Sequence, residues 1–415
     1  MDLKRCLHGA TLALPLTLAA GVCSVDVQGS TLAPPILGAD PRWPKPLPNG
    51  WVTGDVGGTC VDSHDHVFIV TRGFQNNNLT SPENVGGANP DTGALGGAYR
   101  TRPSPPVIEF DQDGNVVNGW GNPSLVPAGQ PFAGQNAVMP NGMHGCYVDY
   151  QDNVWIGGNA DGVVQKYSHG GTLLMQIGTK FTCDDGLGGS IPCTGTGGGN
   201  VGRTGVSHTL LNLPANVVVD PDPDPITGQP GSIYIADGYG NHRVVVFDAT
   251  GHYLRQFGSA GAGQDQFTTA GSGHPHCIAM NKDKLIFACD RGQNKINVYQ
   301  RDGSFVRAIP IVPGTPGGNG SAWDIAFSRD PQQKFAFVSD GGNEVMWVLD
   351  HAAALAGDPH PIIGGYGRPG HAPGEFTFLH LMAIDSKNNI YVGETIGGRR
   401  IQKLVVKSLP VPVAR

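Results

Sequence analysis

The sequence carries little charge and has no long apolar segment beyond its N-terminus. Only 15% of its 415 residues are charged, and the formal net charge is −7. This mildly acidic balance, without a basic patch, argues against nucleic acid as the main partner. After residue 24 no stretch reaches 18 apolar residues without polar interruption. We therefore expect no membrane-spanning helix and exclude a helical membrane channel.

Glycine and proline, in contrast, are abundant. The chain contains 63 Gly and 33 Pro, and these residues lie between short runs of β-branched and aromatic residues. That arrangement is typical of a turn-rich all-β protein and excludes a helical bundle. The length is compatible with one large closed all-β unit.

The N-terminus has the features of a secretory signal peptide. Over residues 1–24 a charged start is followed by an apolar stretch (10–22) and then by small residues. Val22 fits poorly with lipoprotein processing at Cys23, so we expect no lipid anchor. A Pro-rich arm over 25–50 follows. These features predict a secreted or periplasmic protein.

Six cysteines follow the signal peptide, an even number that permits disulfides in an exported chain. Cys183 and Cys193 flank a short glycine-containing loop and are suited to a local disulfide. A second pair of cysteines lies at opposite ends of a predicted hairpin and could face each other. We interpret the remaining two as small buried strand residues. The pair at the ends of the hairpin is Cys277 and Cys289, and the two buried strand residues are Cys60 and Cys146.

One unit recurs six times along the chain. It consists of a short apolar strand ending in Asp, Asn or a similar polar residue, a turn, a second strand, a Gly/Asn/Asp turn and a third strand. A fourth, outer strand follows several units, for example at 252–258 and 304–311. Repeats of this size with short antiparallel strands predict a β-propeller. The units span 57–73, 144–167, 215–248, 276–300, 323–350 and 380–404.

We therefore predict an all-β, six-bladed β-propeller over 51–409, with a twisted sandwich as the alternative. Ring closure could use the N-terminal arm or the C-terminal strand 402–409. Long Gly-rich inserts without periodicity are expected to form loops over one face, where function concentrates. These inserts span 74–104, 121–140 and 180–210.

Aligning the six units gives one equivalent position per blade, at the start of the first strand. These positions are Gly57, His144, Ala215, His276, Trp323 and His380. Because first strands line the channel of a propeller, the three histidines, on alternate blades, should converge on its axis. Three imidazoles suit Zn²⁺ or another divalent transition metal, and they leave one or more coordination positions of the metal open for water or substrate. We expect four other histidines to be structural, namely His64, His66, His242 and His274.

Three further segments resemble the NHL-repeat propellers, and among them peptidyl-α-hydroxyglycine α-amidating lyase. The most specific is YIADGYGNHRVVVFDATGHYLRQFG, where the family has a strand, Asp-Gly-Tyr, Asn-x-Arg and a second strand. FACDRGQNKINVYQ and VFIVTRG match family segments that carry an arginine. The three segments are 234–258, 287–300 and 67–73.

The resemblance implies roles for individual residues. The three channel histidines would be zinc ligands, and Tyr239 the general base or a phenolate next to zinc. Arg72 and Arg291 would hold the substrate carboxylate or support the tyrosine. In the family, a hydroxyl on the α-carbon loses its proton and the adjacent C–N bond breaks, which releases an amide and glyoxylate. A small-molecule or peptide-derived carboxylate substrate follows from this.

The sequence departs from the family at two informative positions. Leu381 stands where the family has an Asp that helps bind structural Ca²⁺, so the sequence does not support that calcium site. Gly240 replaces a disulfide cysteine. Alternatively, Tyr239 is a turn aromatic packed on a neighbouring blade, and Asp290 and Arg291 form a structural ion pair.

Two other functions remain open. One is a non-catalytic NHL propeller that binds a protein or glycan through its loop face. The other is a lactonase-type propeller hydrolase, but such sites use oxygen ligands around calcium, whereas the channel positions here offer imidazoles.

Overall fold

The computed structural model contains six four-stranded antiparallel sheets, and their pairing confirms the predicted six-bladed β-propeller. The structure describes residues 32–72, 102–121, 139–193, 202–271 and 273–408. No helix among these residues is both long and apolar enough to cross a membrane. The signal peptide, Cys23 and most of the inserts 74–104 and 121–140 lie outside the described residues.

Each blade has four strands, listed here from the channel outwards. Blade 1 has Val56–Val61, Val67–Thr71, Val107–Phe110 and Val116–Trp120; blade 2 has Met143–Val148, Val154–Gly158, Val163–Tyr167 and Leu173–Gly178; blade 3 has Asn216–Pro223, Pro230–Asp237, Arg243–Phe247 and Tyr253–Phe257. Blade 4 has Ile278–Met280, Ile286–Asp290, Lys295–Tyr299 and Phe305–Pro310; blade 5 has Asp324–Phe327, Phe335–Asp340, Val345–Asp350 and Ile362–Tyr366; blade 6 has Leu379–Ile384, Ile390–Glu394, Ile401–Ser408 and Ile36–Ala39.

The strands form because both faces of each middle strand are buried between neighbouring blades. In blade 3, Tyr234 and Ala236 pack in the apolar cluster shared with blade 4, whereas Ile233 and Ile235 pack in the cluster shared with blade 2. Successive side chains of a strand point to opposite faces, so the two sets separate cleanly. The described residues form six such clusters, one at each interface between neighbouring blades.

The polar residue that ends each inner strand shapes the next turn. In blade 2 the Asp149 carboxylate accepts hydrogen bonds from the backbone N–H groups of Gln151 and Asn153. In blade 6 Asp385 does the same for Lys387 and Asn389. This use of the side chain to close a turn explains why Asp recurs in the repeat.

The ring closes by using both candidate segments. The N-terminal strand Ile36–Ala39 pairs antiparallel with the C-terminal strand Ile401–Ser408, and thereby becomes the outer strand of blade 6. Residues from the two ends of the chain therefore share one sheet. Tyr391 and Ile401 of this sheet pack in the apolar cluster shared with blade 1.

A few short elements lie outside the blades. An unpredicted α-helix follows blade 5's third strand, and the Asp350 side chain caps it by accepting from Ala353 N–H. Short strand pairs and two 3-10 turns complete the secondary structure of the described residues. They are the helix His351–Ala356, the turns Pro48–Gly50 and Arg291–Gln293, and the pairs Trp51–Val52 with Arg102–Pro103, Thr182–Asp184 with Ser190–Pro192, and Ser259–Ala260 with Gln266–Phe267.

Three disulfides are present among the described residues. Cys183–Cys193 and Cys277–Cys289 confirm the two suggested pairs. The interpretation of Cys60 and Cys146 as separate buried residues was wrong, because they form a third disulfide with Cα atoms 5.3 Å apart.

Glycines explain why Cys60 and Cys146 can meet. The two cysteines lie on the inner strands of neighbouring blades. These strands approach so closely that a Cβ at Gly58 would stand 2.5 Å from the Gly145 backbone. Only residues without side chains permit this approach. The disulfide therefore links the inner strands of blades 1 and 2, which line the channel.

We predict that this inter-blade disulfide stabilises the fold more than the local one. It joins residues 86 apart in sequence, against 10 for Cys183–Cys193, and a longer closed loop restricts the unfolded chain more. The Cys60→Ala/Cys146→Ala variant should lose about 4.5 kcal/mol of unfolding free energy, and Cys183→Ala/Cys193→Ala about 2.5 kcal/mol. Urea unfolding measures both; an equal or reversed order would contradict the prediction.

Candidate metal centre

The three channel histidines converge as the alignment predicted. His144 and His380 are the second residues of inner strands in blades 2 and 6, and His276 lies just before the inner strand of blade 4. All three side chains are buried. One potential ligand atom from each lies within 4.8 Å of the others.

The imidazole rings face one another edge to face. Ring centroids of His144 lie 4.8 Å from those of His276 and His380, and the latter two are 5.2 Å apart. The Nε2 atoms of His144 and His380 are 3.1 Å apart. Two nitrogens bound to a tetrahedral Zn²⁺ at 2.0–2.1 Å would be about 3.3 Å apart. This spacing fits a shared ion.

Backbone carbonyls orient two of the rings. His144 Nδ1–H donates to the Ala215 carbonyl over 2.7 Å, and His276 Nδ1–H donates to the Trp323 carbonyl over 2.7 Å. Each acceptor is the equivalent residue of the next blade, so the repeat supplies the same partner twice. With Nδ1 carrying the proton, Nε2 is left with a lone pair for a metal.

The electrostatic environment keeps these rings neutral. Burial, assisted by the positive charges of Arg72 and Arg291, lowers the pKa of His144 and His380 well below the ordinary value of 6.5. Burial and Arg291 act in the same direction on the pKa of His276. Its buried Nε2 has no hydrogen-bond partner among the described residues. A neutral imidazole with an unused nitrogen is the form that binds metal.

Tyr239 reaches the triad from blade 3. Its Oη lies 3.2 Å from His144 Nε2, and the side chain is buried. Asp237, at the end of the preceding strand, holds the turn: it accepts from Asn212 N–H and from Asn241 Nδ2, and pairs with Arg243 at 3.0 Å. The contacts of Asp237 thus hold the turn of the Asp-Gly-Tyr segment in the conformation that places Tyr239 beside the triad.

Arg291 enters from blade 4 and is held by aromatic faces. Its guanidinium carbon lies 4.5 Å from the Trp323 ring centroid and 5.7 Å from that of Tyr239. It also donates a hydrogen bond to the Tyr239 side chain. Asp290, the alternative partner considered for Arg291, accepts hydrogen bonds from Gln293 N–H and Thr268 N–H.

Arg72 approaches from blade 1. Its Nε–H donates to the Met143 carbonyl, 2.7 Å away and directly before His144 in the chain. Its Nη2 is buried and has no hydrogen-bond partner among the described residues. Arg72, Tyr239 and Arg291 all follow second strands, which end at the same face of the propeller as the triad.

Sequence reasoning missed two residues that shape this site. Trp323, noted only as a non-histidine channel position, is the platform under Arg291. Gly273 has φ +79°, and a Cβ there would stand 3.0 Å from Arg291 Nη2 and from Tyr239 Cζ, and 3.1 Å from His276 Cδ2. Its absence of a side chain keeps the space above three site residues open. Neither residue carries a metal-binding or catalytic motif.

Beyond the triad the channel widens into a cavity of about 520 Å³, lined by the later residues of the inner strands. Leu381 and Asp324 both line it. Asp324 accepts a hydrogen bond from Met382 N–H over 2.8 Å, and burial raises the pKa of its carboxyl to about 7.

Sequence comparisons place the chain among proteins with propeller repeats. Residues 222–312 match a family model described as DUF5128, a 6-bladed beta-propeller. NHL repeat-containing protein 3 of Homo sapiens is 23% identical over 322 residues, covering 74% of this chain and 75% of the human protein. Its Mus musculus counterpart is 24% identical over 312 residues, covering 72% and 73%. These matches support the NHL-type propeller and name no activity.

Solved structures share the architecture at low sequence identity. Virginiamycin B lyase from Staphylococcus aureus is 12% identical, with coverage of 85% of this chain and 95% of that one, and a TM-score of 0.45. XC5397 from Xanthomonas campestris, described as a gluconolactonase, is 14% identical, with 87% coverage of both chains and a TM-score of 0.47. No argument about activity rests on likenesses this distant.

We predict that the triad holds a divalent metal ion that depends on His276. Purified protein offered Zn²⁺ should retain an equivalent that His276→Ala loses, because two imidazoles bind far more weakly than three. The exposed residue His208 gives a control, and His208→Ala should bind as the wild type does. Elemental mass spectrometry measures the content; unchanged zinc in His276→Ala would contradict the prediction.

Asp324 should make stability depend on pH. Its carboxyl holds a proton more tightly in the folded state, at a pKa of about 7, than in the unfolded chain, at about 3.9. The folded state is therefore favoured below pH 4, and this contribution is lost as pH rises through 7.

Asp324→Asn removes that loss while keeping a hydrogen-bond acceptor for Met382 N–H. As the pH rises from 5 to 8, we expect the variant to gain about 2.7 kcal/mol of unfolding free energy relative to wild type, because each pH unit between 5 and the folded-state pKa of about 7 contributes about 1.4 kcal/mol. Urea unfolding at both pH values tests this. Parallel pH profiles for the two proteins would show that Asp324 does not titrate in this range.

Proposed function

We propose that this chain is a metal-dependent lyase of the amidating type, which cleaves the C–N bond at a hydroxylated carbon next to a carboxylate. The convergence of three neutral, buried imidazoles with one tyrosine and two arginines at a single end of the channel carries the proposal. Each group needed for such a reaction is present within one small volume.

The triad would hold the ion. Zn²⁺, or another divalent transition metal, suits three imidazole nitrogens and supplies Lewis acidity for an oxygen of the substrate when bound. The Ala215 and Trp323 carbonyls fix the ring orientations of His144 and His276, so little reorganisation accompanies binding.

Tyr239 is placed to receive the hydroxyl proton. Its Oη lies 3.2 Å from the Nε2 of His144, which brings the phenol oxygen next to any hydroxyl held at the triad. Arg291, hydrogen-bonded to the Tyr239 side chain, restricts its movement. A base held within hydrogen-bonding reach of its proton is the geometric requirement for general-base catalysis.

The arginines would bind the substrate carboxylate. The buried Arg72 Nη2 has no partner among the described residues, and a carboxylate would satisfy it. Arg291 adds a second cation next to Tyr239, held against Trp323. Charge-assisted hydrogen bonds from guanidinium groups orient carboxylates strongly.

The proposed reaction balances without a redox partner. The hydroxyl oxygen loses its proton and forms a carbonyl with the carbon that carries it, the C–N bond electrons pass to nitrogen, and nitrogen gains a proton. For an N-acyl-α-hydroxyglycine the products are an amide and glyoxylate.

We also propose that the protein acts outside the cytoplasm. Three disulfides are present, and disulfides persist mainly in oxidising compartments. The signal peptide expected over 1–24 agrees with this location.

The activity test uses an N-acyl-α-hydroxyglycine such as α-hydroxyhippurate and measures glyoxylate. Tyr239→Phe should lower kcat by about 10²–10⁴-fold, the usual contribution of a proton-transfer group, and should keep the zinc content of wild type. Arg72→Gln should chiefly raise KM, because it removes a carboxylate contact.

The control is the matching substrate amide, which lacks the carboxylate and should react poorly. Zinc-loaded wild type that releases no glyoxylate from α-hydroxyglycines with small, aromatic and peptidyl acyl groups would overturn the proposal. It would then favour the binding-propeller alternative.

A further inference from the structure

A second cluster of ligating side chains lies at the face of the propeller opposite the triad. Asp62 follows the inner strand of blade 1, Glu109 lies in its third strand, and His169 lies in the last turn of blade 2. One ligand atom from each lies within 4.8 Å of the others. From this cluster we infer a second divalent metal site, which pins blade 1 to blade 2 and is independent of the lyase site.

The atoms are placed for a shared ion. His169 Nε2 lies 3.0 Å from Asp62 Oδ2 and 3.6 Å from Glu109 Oε1. His66 Nδ1 lies 2.7 Å from the same Glu109 oxygen. Mixed imidazole and carboxylate ligands suit first-row divalent ions such as Zn²⁺ and Mn²⁺.

The ligand positions are held before any ion binds. The other Asp62 oxygen, Oδ1, accepts from the backbone N–H groups of His64 and His66 over 2.9 and 2.7 Å, which leaves Oδ2 facing the cluster. The His169 ring packs edge-on against Phe68 with centroids 5.1 Å apart. Fixed ligands lower the ordering cost of binding.

At the third-strand position of Glu109, blade 1 has a negative side chain where blade 2 has a positive one. In blade 2 the turn residue Asp149 pairs with Lys166 at 3.1 Å, and Lys166 stands opposite Trp155 in the sheet. In blade 1 the corresponding residue, opposite Phe68, is Glu109. Blade 1 thus has a second carboxylate where blade 2 has the cation that neutralises the first.

The two carboxylates therefore need positive charge from elsewhere. The Asp62 and Glu109 side chains are 0% and 4% exposed, and among the described residues their only ion-pair partners are His66 and His169. Two buried like charges are costly without compensation. A divalent cation supplies it, and His169, 39% exposed, leaves a side open for water to complete the coordination.

The site would act on stability and not on chemistry. It joins the last turn of blade 2 to blade 1 at the face opposite the lyase site. The Cys60–Cys146 disulfide joins the same two blades through their inner strands. An ion that binds the folded state alone raises the melting temperature as its concentration rises.

The test compares metal content and melting temperature of full-length protein with Zn²⁺, with Mn²⁺ and with chelator. Wild type should bind one more equivalent than His169→Ala and than Glu109→Lys. The latter variant installs the blade 2 arrangement and so should fold while losing the ion. Both should lose the part of the metal-dependent rise in melting temperature that remains in His276→Ala, because each of the two ions stabilises the folded state separately. His252→Ala, at an exposed His–Asp pair, is the matched control and should behave as wild type.

The two metal sites are distinguished by their own variants. If His276→Ala keeps full metal content while His169→Ala loses an equivalent, the second site stands and the lyase site falls. If His169→Ala and Glu109→Lys both match wild type in metal content and melting response, the second site is refuted. The histidines then serve as counter-ions to the carboxylates.

Discussion

The pairing of the N-terminal strand Ile36–Ala39 with Ile401–Ser408 is the contact on which the rest of the structure depends. It completes blade 6 and closes the ring, so that six inner strands face one axis at the same height. Only then do His380 of blade 6, His144 of blade 2 and His276 of blade 4 meet. Closure of the ring thus brings residues that are far apart in sequence into a single centre on the channel axis.

The same geometry separates two kinds of polar environment. At the triad end, buried neutral imidazoles and two arginines form a site with an excess of positive charge and unused nitrogen atoms. At the opposite face, the carboxylate of Asp62, in a strand-ending turn, lies beside that of Glu109, in the third strand of blade 1. The repeat builds both, because each blade places one side chain at the start of its inner strand and one carboxylate or polar group at the end. Substitutions at these positions give each blade its own chemistry.

Much of the architecture could be predicted from the sequence. Alternating apolar residues and recurrent turn aspartates define the six units, and aligning them places His144, His276 and His380 at equivalent positions. The Cys60–Cys146 disulfide was missed because it depends on how closely two inner strands approach, and that approach is set by Gly58 and Gly145 in different units. Trp323 and Gly273 were missed because their contribution is shape and not reactivity. The Asp62, Glu109 and His169 cluster joins two blades, so no local pattern shows it.

The central claim is that the three imidazoles share one metal ion. The most direct measurement is anomalous diffraction at the zinc absorption edge from crystals of zinc-loaded protein. The account predicts a peak on the channel axis, about 2.0–2.1 Å from the Nε2 atoms of His144, His276 and His380. A map with no peak there, with the three rings in the arrangement described, would contradict it.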